Sequence, residues 1–168
     1  GSAFKPFVYT VAFSHGLLPS SAISDGPIQP GEIDGAGNWS PGNSDGTYGG
    51  IMPCSYGLIH SRNTMSVRVG QFAGLNTVQK VANDLGIAQN IPHGPASYIG
   101  SFESNLKDLT SAYTVFPNAG VRRQAYIIER IDDQQHKPIY LAAHITSQAI
   151  DPGAAWMTSE VMEDVLTK

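Results

Sequence analysis

The hexapeptide Ser2-Ala3-Phe4-Lys5-Pro6-Phe7 can open a helix with a hydroxyl and an amine on one face. Residues three positions apart lie on the same side of a helix, so the Lys5 amine can approach the Ser2 hydroxyl. Proline is tolerated in a first helical turn but not in a helix interior, so the helix must start close to Ser2. The apolar stripe that follows predicts a helix over residues 4–14.

The Ser2 and Lys5 pair has the chemistry of an activated serine nucleophile. A serine hydroxyl is a weak nucleophile until a neighbouring base removes its proton. A lysine can be that base when burial or nearby cations lower its pKa, and the positive end of the helix dipole favours an alkoxide-like oxygen. The spacing alone is not specific, since Ser104-Asn105-Leu106-Lys107 repeats it. We interpret that second pair as a helix cap followed by a solvated lysine.

A second polar group, Ser61-Arg62-Asn63, falls in a turn between two predicted short helices at 53–60 and 64–72. The Ser61 hydroxyl can relay a proton, and the Asn63 carboxamide can both donate to and accept from a peptide amide. The alternative is an ordinary turn with a helix cap. By itself, this tripeptide does not decide between the two.

The whole pattern predicts an α+β chain of four or five helices followed by a hairpin and a final helix. The remaining predicted elements are a long loop over 19–50, a helix capped by Asn76, a helix capped by Ser104, a hairpin of 126–131 with 139–142, and a helix opened by Asp151-Pro152 that reaches Leu166.

Composition limits the partners that the chain can have. A chain of 168 residues fits one domain. Its net charge is -4 and its ten basic residues are scattered, so we expect no nucleic-acid partner. The single Cys54 excludes an internal disulfide and a cysteine metal cluster. The five histidines show no metal-ligand spacing, so we expect no metal and no cofactor. No apolar stretch approaches the ~20 residues of a membrane span.

Five ordered blocks carry a resemblance to a known family: 2–7, where proline and an aromatic residue follow the lysine, 38–46, which contains Trp39, 61–69, 74–87 and 95–120. Together they resemble the transpeptidase domain of the class A penicillin-binding proteins. The resemblance implies the helical subdomain of a β-lactamase/transpeptidase-like fold. It also implies a β-hairpin near 125–145 and a C-terminal helix, with the central sheet largely missing.

The resemblance further implies a peptidoglycan DD-transpeptidase. Ser2 would attack the carbonyl between the two terminal D-alanines of a stem peptide, with Lys5 as the base. Ser61 would pass a proton to the departing D-alanine, and Asn63 would bind the amide of the donor peptide. β-Lactam antibiotics would trap Ser2 as an ester. The implied setting is the bacterial periplasm, at the outer face of the cytoplasmic membrane, in a membrane-anchored protein with an upstream glycosyltransferase domain.

One family motif does not occur in this chain. The third motif, Lys-[Ser/Thr]-Gly, binds the substrate carboxylate in the family, and none of the five lysines here begins it. We therefore expect residues 1–168 to be a partial transpeptidase domain, truncated at both ends and inactive alone. Two alternatives stay open. One is a serine β-lactamase or DD-carboxypeptidase, and the other is a non-catalytic β-lactam sensor or scaffold.

Overall fold

Helix α1 (Lys5–Ser14) runs through the centre of the molecule. The computed structural model describes residues 1–88 and 90–167. A 3-10 turn, Ser2–Phe4, precedes α1, and Pro6 lies in its first turn as predicted. Every residue over 5–13 is buried, so other elements must surround this helix on all sides. The helix predicted over 4–14 is confirmed.

Helix α1 makes its most extensive contacts with three other helices. They are α3 (Asn63–Ala73), α4 (Leu75–Asp84) and α6 (Pro152–Thr167). The hydroxyls of Thr10 and Thr158 join α1 to α6 at 2.7 Å. The other helical elements are α2 (Cys54–Ile59), a 3-10 turn at Pro95–Ile99 and α5 (Leu106–Tyr113). Among the described residues, none of the helices is long and apolar enough to cross a lipid bilayer.

Two of the predicted helix caps are wrong. Helix α4 begins directly after Gly74, and Asn76 lies inside its first turn. Helix α5 is capped by Asn105, whose side chain accepts a first-turn amide hydrogen bond at 2.9 Å. Ser104 instead donates its hydroxyl proton to the Ile87 carbonyl. Several neighbouring polar residues can cap a helix, and the local sequence does not rank them.

Six short strands form three separate two-stranded antiparallel sheets in the described part of the chain. The pairing of β4 (Arg130–Asp132) with β5 (Pro138–Leu141) confirms the predicted hairpin. Two further pairs have no counterpart among the predicted elements: β1 (Ala22–Ser24) with β2 (Ile51–Pro53), and β3 (Val121–Arg123) with β6 (Thr146–Gln148). Strands of three residues are too short to show a clear alternation. The α+β class is confirmed, with a helical body and small sheets.

The segment predicted as a long loop over 19–50 packs against the helices. It contains β1, and it buries Asp25, Ile28, Ile33 and Asn43. Buried polar side chains in a loop need partners, since an unpaired polar group away from water is costly. The partners of Asp25 and Asn43 lie at the start of α3, so this loop helps to build the region around Ser61-Arg62-Asn63.

Candidate active site

The amine of Lys5 meets the turn between α2 and α3. Lys5 is only 1% exposed, and its Nζ donates to the Ser61 carbonyl at 2.6 Å, to Asn63 Oδ1 at 2.8 Å and to Ser61 Oγ at 3.1 Å. A buried ammonium group needs acceptors to offset the water that it loses. Ser61 and Asn63, both in this turn, supply these three acceptors.

The Ser61 hydroxyl connects the lysine to the candidate nucleophile. Ser61 Oγ donates to Ser2 Oγ at 2.9 Å and accepts from Lys5 Nζ at 3.1 Å. Among the described residues, no direct hydrogen bond joins Ser2 to Lys5, so the expected direct approach is replaced by a chain of three polar atoms. The structure brings all four residues singled out in the sequence into one place: Ser2, Lys5, Ser61 and Asn63.

Ser61 holds an uncommon backbone conformation. Its φ is 53°, in the left-handed region that residues other than glycine rarely occupy. Such a conformation costs on the order of 1–3 kcal/mol, and it persists only where the surroundings hold it. Here the carbonyl and the hydroxyl of Ser61 both accept from the Lys5 amine. The hydrogen bonds from Lys5 thus help to hold Ser61 in its strained conformation.

Burial, followed by the positive charge of Arg62, lowers the pKa of Lys5 from 10.5 to about 8. Burial acts in this direction because it disfavours the charged ammonium form. With that pKa, roughly a tenth of the amine is neutral at pH 7. A lysine can then act as a general base near neutral pH.

Arg62 ties the turn to the preceding loop. Its guanidinium group pairs with Asp25 at 2.9 Å and with Asp45 at 2.8 Å, and it donates to the Thr47 carbonyl at 2.5 Å. The side chains of Arg62 and Asp25 are 8% and 0% exposed. Charge-assisted hydrogen bonds of this kind satisfy a buried arginine. They also hold the backbone between Ser61 and Asn63.

Asn43 supplies the cap of α3 from a distant part of the chain. The N-cap residue, Arg62, makes no side-chain cap of its own. Asn43 Oδ1 instead accepts from the Asn63 amide at 2.8 Å, and its Nδ2 donates to Asp25 at 2.9 Å. The cap pairs one of the amides that a helix start leaves open. The sequence patterns did not single out Asp25 or Asn43, although Asn43 falls in the 38–46 block.

A cavity of about 370 Å³ opens beside Ser2. Its polar groups are Ser2, Lys5 and Ser61, and its apolar lining comes mainly from α2, α5 and α6: Leu58, Ile59, Tyr113, Met162, Val165 and Leu166. A larger cavity of about 520 Å³ lies beside the hairpin, but none of the four candidate residues lines it. An apolar cavity with a few converging polar groups is the usual form of a binding site.

The second Ser-x-x-Lys pair does not form such a site. The Ser104 hydroxyl is bonded to the Ile87 carbonyl, and Lys107 lies 4.0 Å from Asp108 with 61% of its side chain exposed. The interpretation of Lys107 as a solvated lysine is confirmed. In residues 1–88 and 90–167, no group of His, Cys, Asp and Glu side chains could hold a metal ion.

We expect Asp25→Asn to destabilise the chain, because it leaves the buried Arg62 without its fully buried carboxylate partner. Breaking a buried ion pair from one side costs about 3–5 kcal/mol. Asp45→Asn is the matched control, since that carboxylate is 52% exposed and its loss should be much smaller. Urea unfolding at pH 7 measures both variants. Equal stability of Asp25→Asn and the parent would contradict a structural role for the pair.

The same pair makes stability fall in acid. Burial by itself raises the pKa of Asp25, but hydrogen bonds from Arg62, Thr64, the Gly49 amide and Asn43 outweigh it and hold that pKa below its usual value. A depressed carboxyl pKa stabilises the fold above the unfolded pKa of about 4, and this contribution is lost as the pH falls further. The stability difference between the parent and Asp25→Asn should therefore narrow from pH 7 to pH 3.

The whole chain, residues 1–168, matches the family model described as the penicillin binding protein transpeptidase domain. Penicillin-binding protein 1A of Neisseria lactamica is 34% identical over 174 residues, which cover 99% of this chain and 22% of that protein. Penicillin-binding protein 1A of Rickettsia bellii is 34% identical over 140 residues, covering 83% of this chain and 18% of the relative. The chain thus spans about a fifth of the length of these relatives.

Solved structures agree with the sequence relatives. The crystal structure of penicillin-binding protein 1A from Haemophilus influenzae superposes with a TM-score of 0.83 at 25% identity, over 98% of this chain and 29% of that one. Penicillin-binding protein PonA1 from Mycobacterium tuberculosis, in complex with penicillin V, gives a TM-score of 0.81 at 20% identity over 96% of this chain and 46% of its own, which shows a shared fold. The chain belongs to the penicillin-binding protein transpeptidase family.

Proposed function

We propose that this chain carries the acyl-serine site of a peptidoglycan DD-transpeptidase, with Ser2 as the nucleophile, Lys5 as the base, Ser61 as the proton relay and Asn63 as a substrate ligand. The observation that carries the proposal is the hydrogen-bonded chain from Ser2 Oγ through Ser61 Oγ to Lys5 Nζ. The relatives named penicillin-binding protein 1A support the reaction class. Their names also support β-lactams as ligands of the same site.

In the proposed acylation Lys5 is neutral, so Ser2 donates to Ser61 and Ser61 donates to the Lys5 amine, which reverses the hydrogen bonds made with a protonated lysine. Ser2 Oγ bonds to the carbonyl carbon of the penultimate D-alanine, the carbonyl oxygen takes up the electron pair, and the Ser2 proton passes through Ser61 to Lys5. The carbon–nitrogen bond then breaks. The protonated Lys5 returns the proton through Ser61 to the nitrogen of the departing D-alanine. An ester of Ser2 remains, and an amine of a second stem peptide, or water, attacks its carbonyl and restores the Ser2 hydroxyl.

The hydrogen bonds of the Asn63 carboxamide support its proposed role as a substrate ligand. Its Oδ1 accepts from Lys5 at 2.8 Å, and its Nδ2 donates to the Gly42 carbonyl at 3.0 Å. These two bonds direct Oδ1 toward Lys5 and Nδ2 toward Gly42. A carboxamide nitrogen carries two protons, so the second one can donate to a carbonyl of the donor peptide.

We further propose that other parts of the protein complete the site. A Lys-[Ser/Thr]-Gly strand would bind the substrate carboxylate and add a donor to the oxyanion hole, and residues 1–168 contain no such tripeptide. The likeness to class A proteins supports an upstream glycosyltransferase domain and a membrane anchor. It also supports a site on the outer face of the cytoplasmic membrane, in the bacterial periplasm.

Replacing the nucleophile tests the assignment of Ser2. In the full-length protein, Ser2→Ala should abolish covalent labelling by a fluorescent penicillin, because no ester can form without the hydroxyl. Ser104→Ala, in the other Ser-x-x-Lys, is the matched control and should label like the parent. Gel fluorescence measures the labelling. Persistent labelling of Ser2→Ala would refute the acyl-serine proposal.

The pH dependence tests Lys5. The neutral amine is the base, and its fraction grows as the pH rises through about 8. The acylation rate should therefore rise about tenfold from pH 6 to pH 7 and level off above pH 8. Stopped-time labelling over pH 6–9 records the profile. Lys5→Arg, which stays protonated throughout this range, should lose activity, and a profile that is flat in the parent would exclude Lys5 as the base.

A chain limited to residues 1–168 should acylate poorly. Loss of a single oxyanion-hole donor typically lowers a rate by ~10²–10³, and the carboxylate contact would be lost with it. Labelling of the 168-residue chain and of the full-length protein, side by side, measures this difference. Efficient labelling of the short chain would show that the site is complete without a third motif.

Turnover of a stem peptide by the full-length protein separates the remaining alternatives. Cross-linked product identifies a transpeptidase, and release of D-alanine to water alone identifies a DD-carboxypeptidase. Hydrolysis of a β-lactam with rapid regeneration of Ser2 identifies a β-lactamase. Acylation by penicillin without turnover of any stem peptide would favour the sensor or scaffold.

A further inference from the structure

Tyr113 makes a long-range contact with the turn that carries Ser2. Its hydroxyl, at the end of α5, donates to the Ala3 carbonyl at 2.7 Å, although the two residues are 110 positions apart in sequence. Ala3 is the middle residue of the 3-10 turn Ser2–Phe4. The hydrogen bond thus reaches the backbone directly next to the proposed nucleophile.

The ring of Tyr113 is held by aromatic neighbours. It meets Phe7 edge to face at 5.1 Å and an interplanar angle of 86°, and Phe116 at 5.4 Å and 69°. Aromatic pairs at such distances and angles are favourable and restrict the ring orientation. Burial raises the pKa of Tyr113, so its hydroxyl stays protonated and able to donate at neutral pH.

Few hydrogen bonds hold the turn that carries Ser2, although its last residue, Phe4, is buried against Phe102. Within it, the Phe4 amide donates to the Gly1 carbonyl at 3.0 Å, and the turn has no side-chain cap. Ser2 is exposed and accepts from Ser61 on the side of the hydrogen-bond chain. Tyr113 holds the turn from α5 and lines the same cavity of about 370 Å³ as Ser2. The Ser2 hydroxyl and the Ala3 carbonyl are thus held from two different elements, the turn before α3 and the end of α5.

We infer that Tyr113 is a positioning residue, which holds the 3-10 turn so that Ser2 Oγ stays in line with Ser61 and the cavity. This inference rests on the proposed acyl-serine function. The physical reason is geometric, because an attack on a carbonyl needs the reacting atoms close and aligned, and a displacement of about 1 Å can cost 10²-fold in rate. The Tyr113 ring also lines the cavity, so we expect loss of the ring to weaken ligand binding.

Two substitutions separate the hydroxyl from the ring. In the full-length protein, Tyr113→Phe keeps the ring and removes the donor. The maximal rate of acylation by a fluorescent penicillin should fall about tenfold, while the half-saturating concentration changes less than about twofold. Tyr113→Leu removes the wall as well, and it should also raise the half-saturating concentration. Tyr98→Phe, in a buried ring that packs on Gly70, is the matched control and should leave both constants unchanged.

Thermal unfolding completes the test. The melting temperature of Tyr113→Phe should fall by no more than about 3 °C, as expected for one hydrogen bond. A parental acylation rate in Tyr113→Phe would overturn the inference. A rate loss shared by Tyr98→Phe, or one that follows a larger fall in melting temperature, would assign Tyr113 a purely structural role and overturn it too. Labelling that survives Ser2→Ala would instead refute the proposed function itself.

Discussion

The buried amine of Lys5 is the constraint on which the site depends. An ammonium group taken out of water must find acceptors, and each acceptor must come from nearby structure. Here the acceptors all belong to Ser61 and Asn63, on the turn between α2 and α3. The side chain of Lys5 therefore links the first turn of helix α1 to the start of α3. The serine hydroxyl one turn before Lys5 is carried into the same place.

A second layer of charge supports that arrangement. Arg62 lies between the two residues that bind Lys5, and its positive charge would be costly if it were unpaired. Asp25 and Asp45 offset it, and Asn43 links Asp25 to the first amide of α3. The loop over 19–50 thus supports the site, although none of its residues is proposed to react. Its polar side chains hold the turn in the conformation that places the Ser61 hydroxyl between Lys5 Nζ and Ser2 Oγ.

The sequence predicted those parts of the fold that local patterns determine. The helix after Ser2, the hairpin and the helix opened by Asp151-Pro152 follow from periodicity and proline rules. It could not predict the pairing of β1 with β2, since three residues give no periodicity. Nor could it identify Asp25, whose partner Arg62 is 37 positions away. Spacing along α1 predicted a direct contact from Lys5 to Ser2, and the hydroxyl of Ser61, contributed by another element, takes that place.

The chemistry of the site and its cost to stability have the same origin. The pKa of Lys5 lies near 8 in the folded chain, against 10.5 for a lysine exposed to water, so the folded state binds the proton more weakly than the unfolded state does. Its unfavourable contribution is complete below pH 8 and disappears as the pH rises toward 10.5, so stability increases with pH here as it does for Asp25, but in a more alkaline range. Burial that destabilises the protonated lysine is also what makes its neutral form available as a base. An apolar residue at position 5 would avoid this destabilisation, but it would also remove the base that we propose for the activation of Ser2.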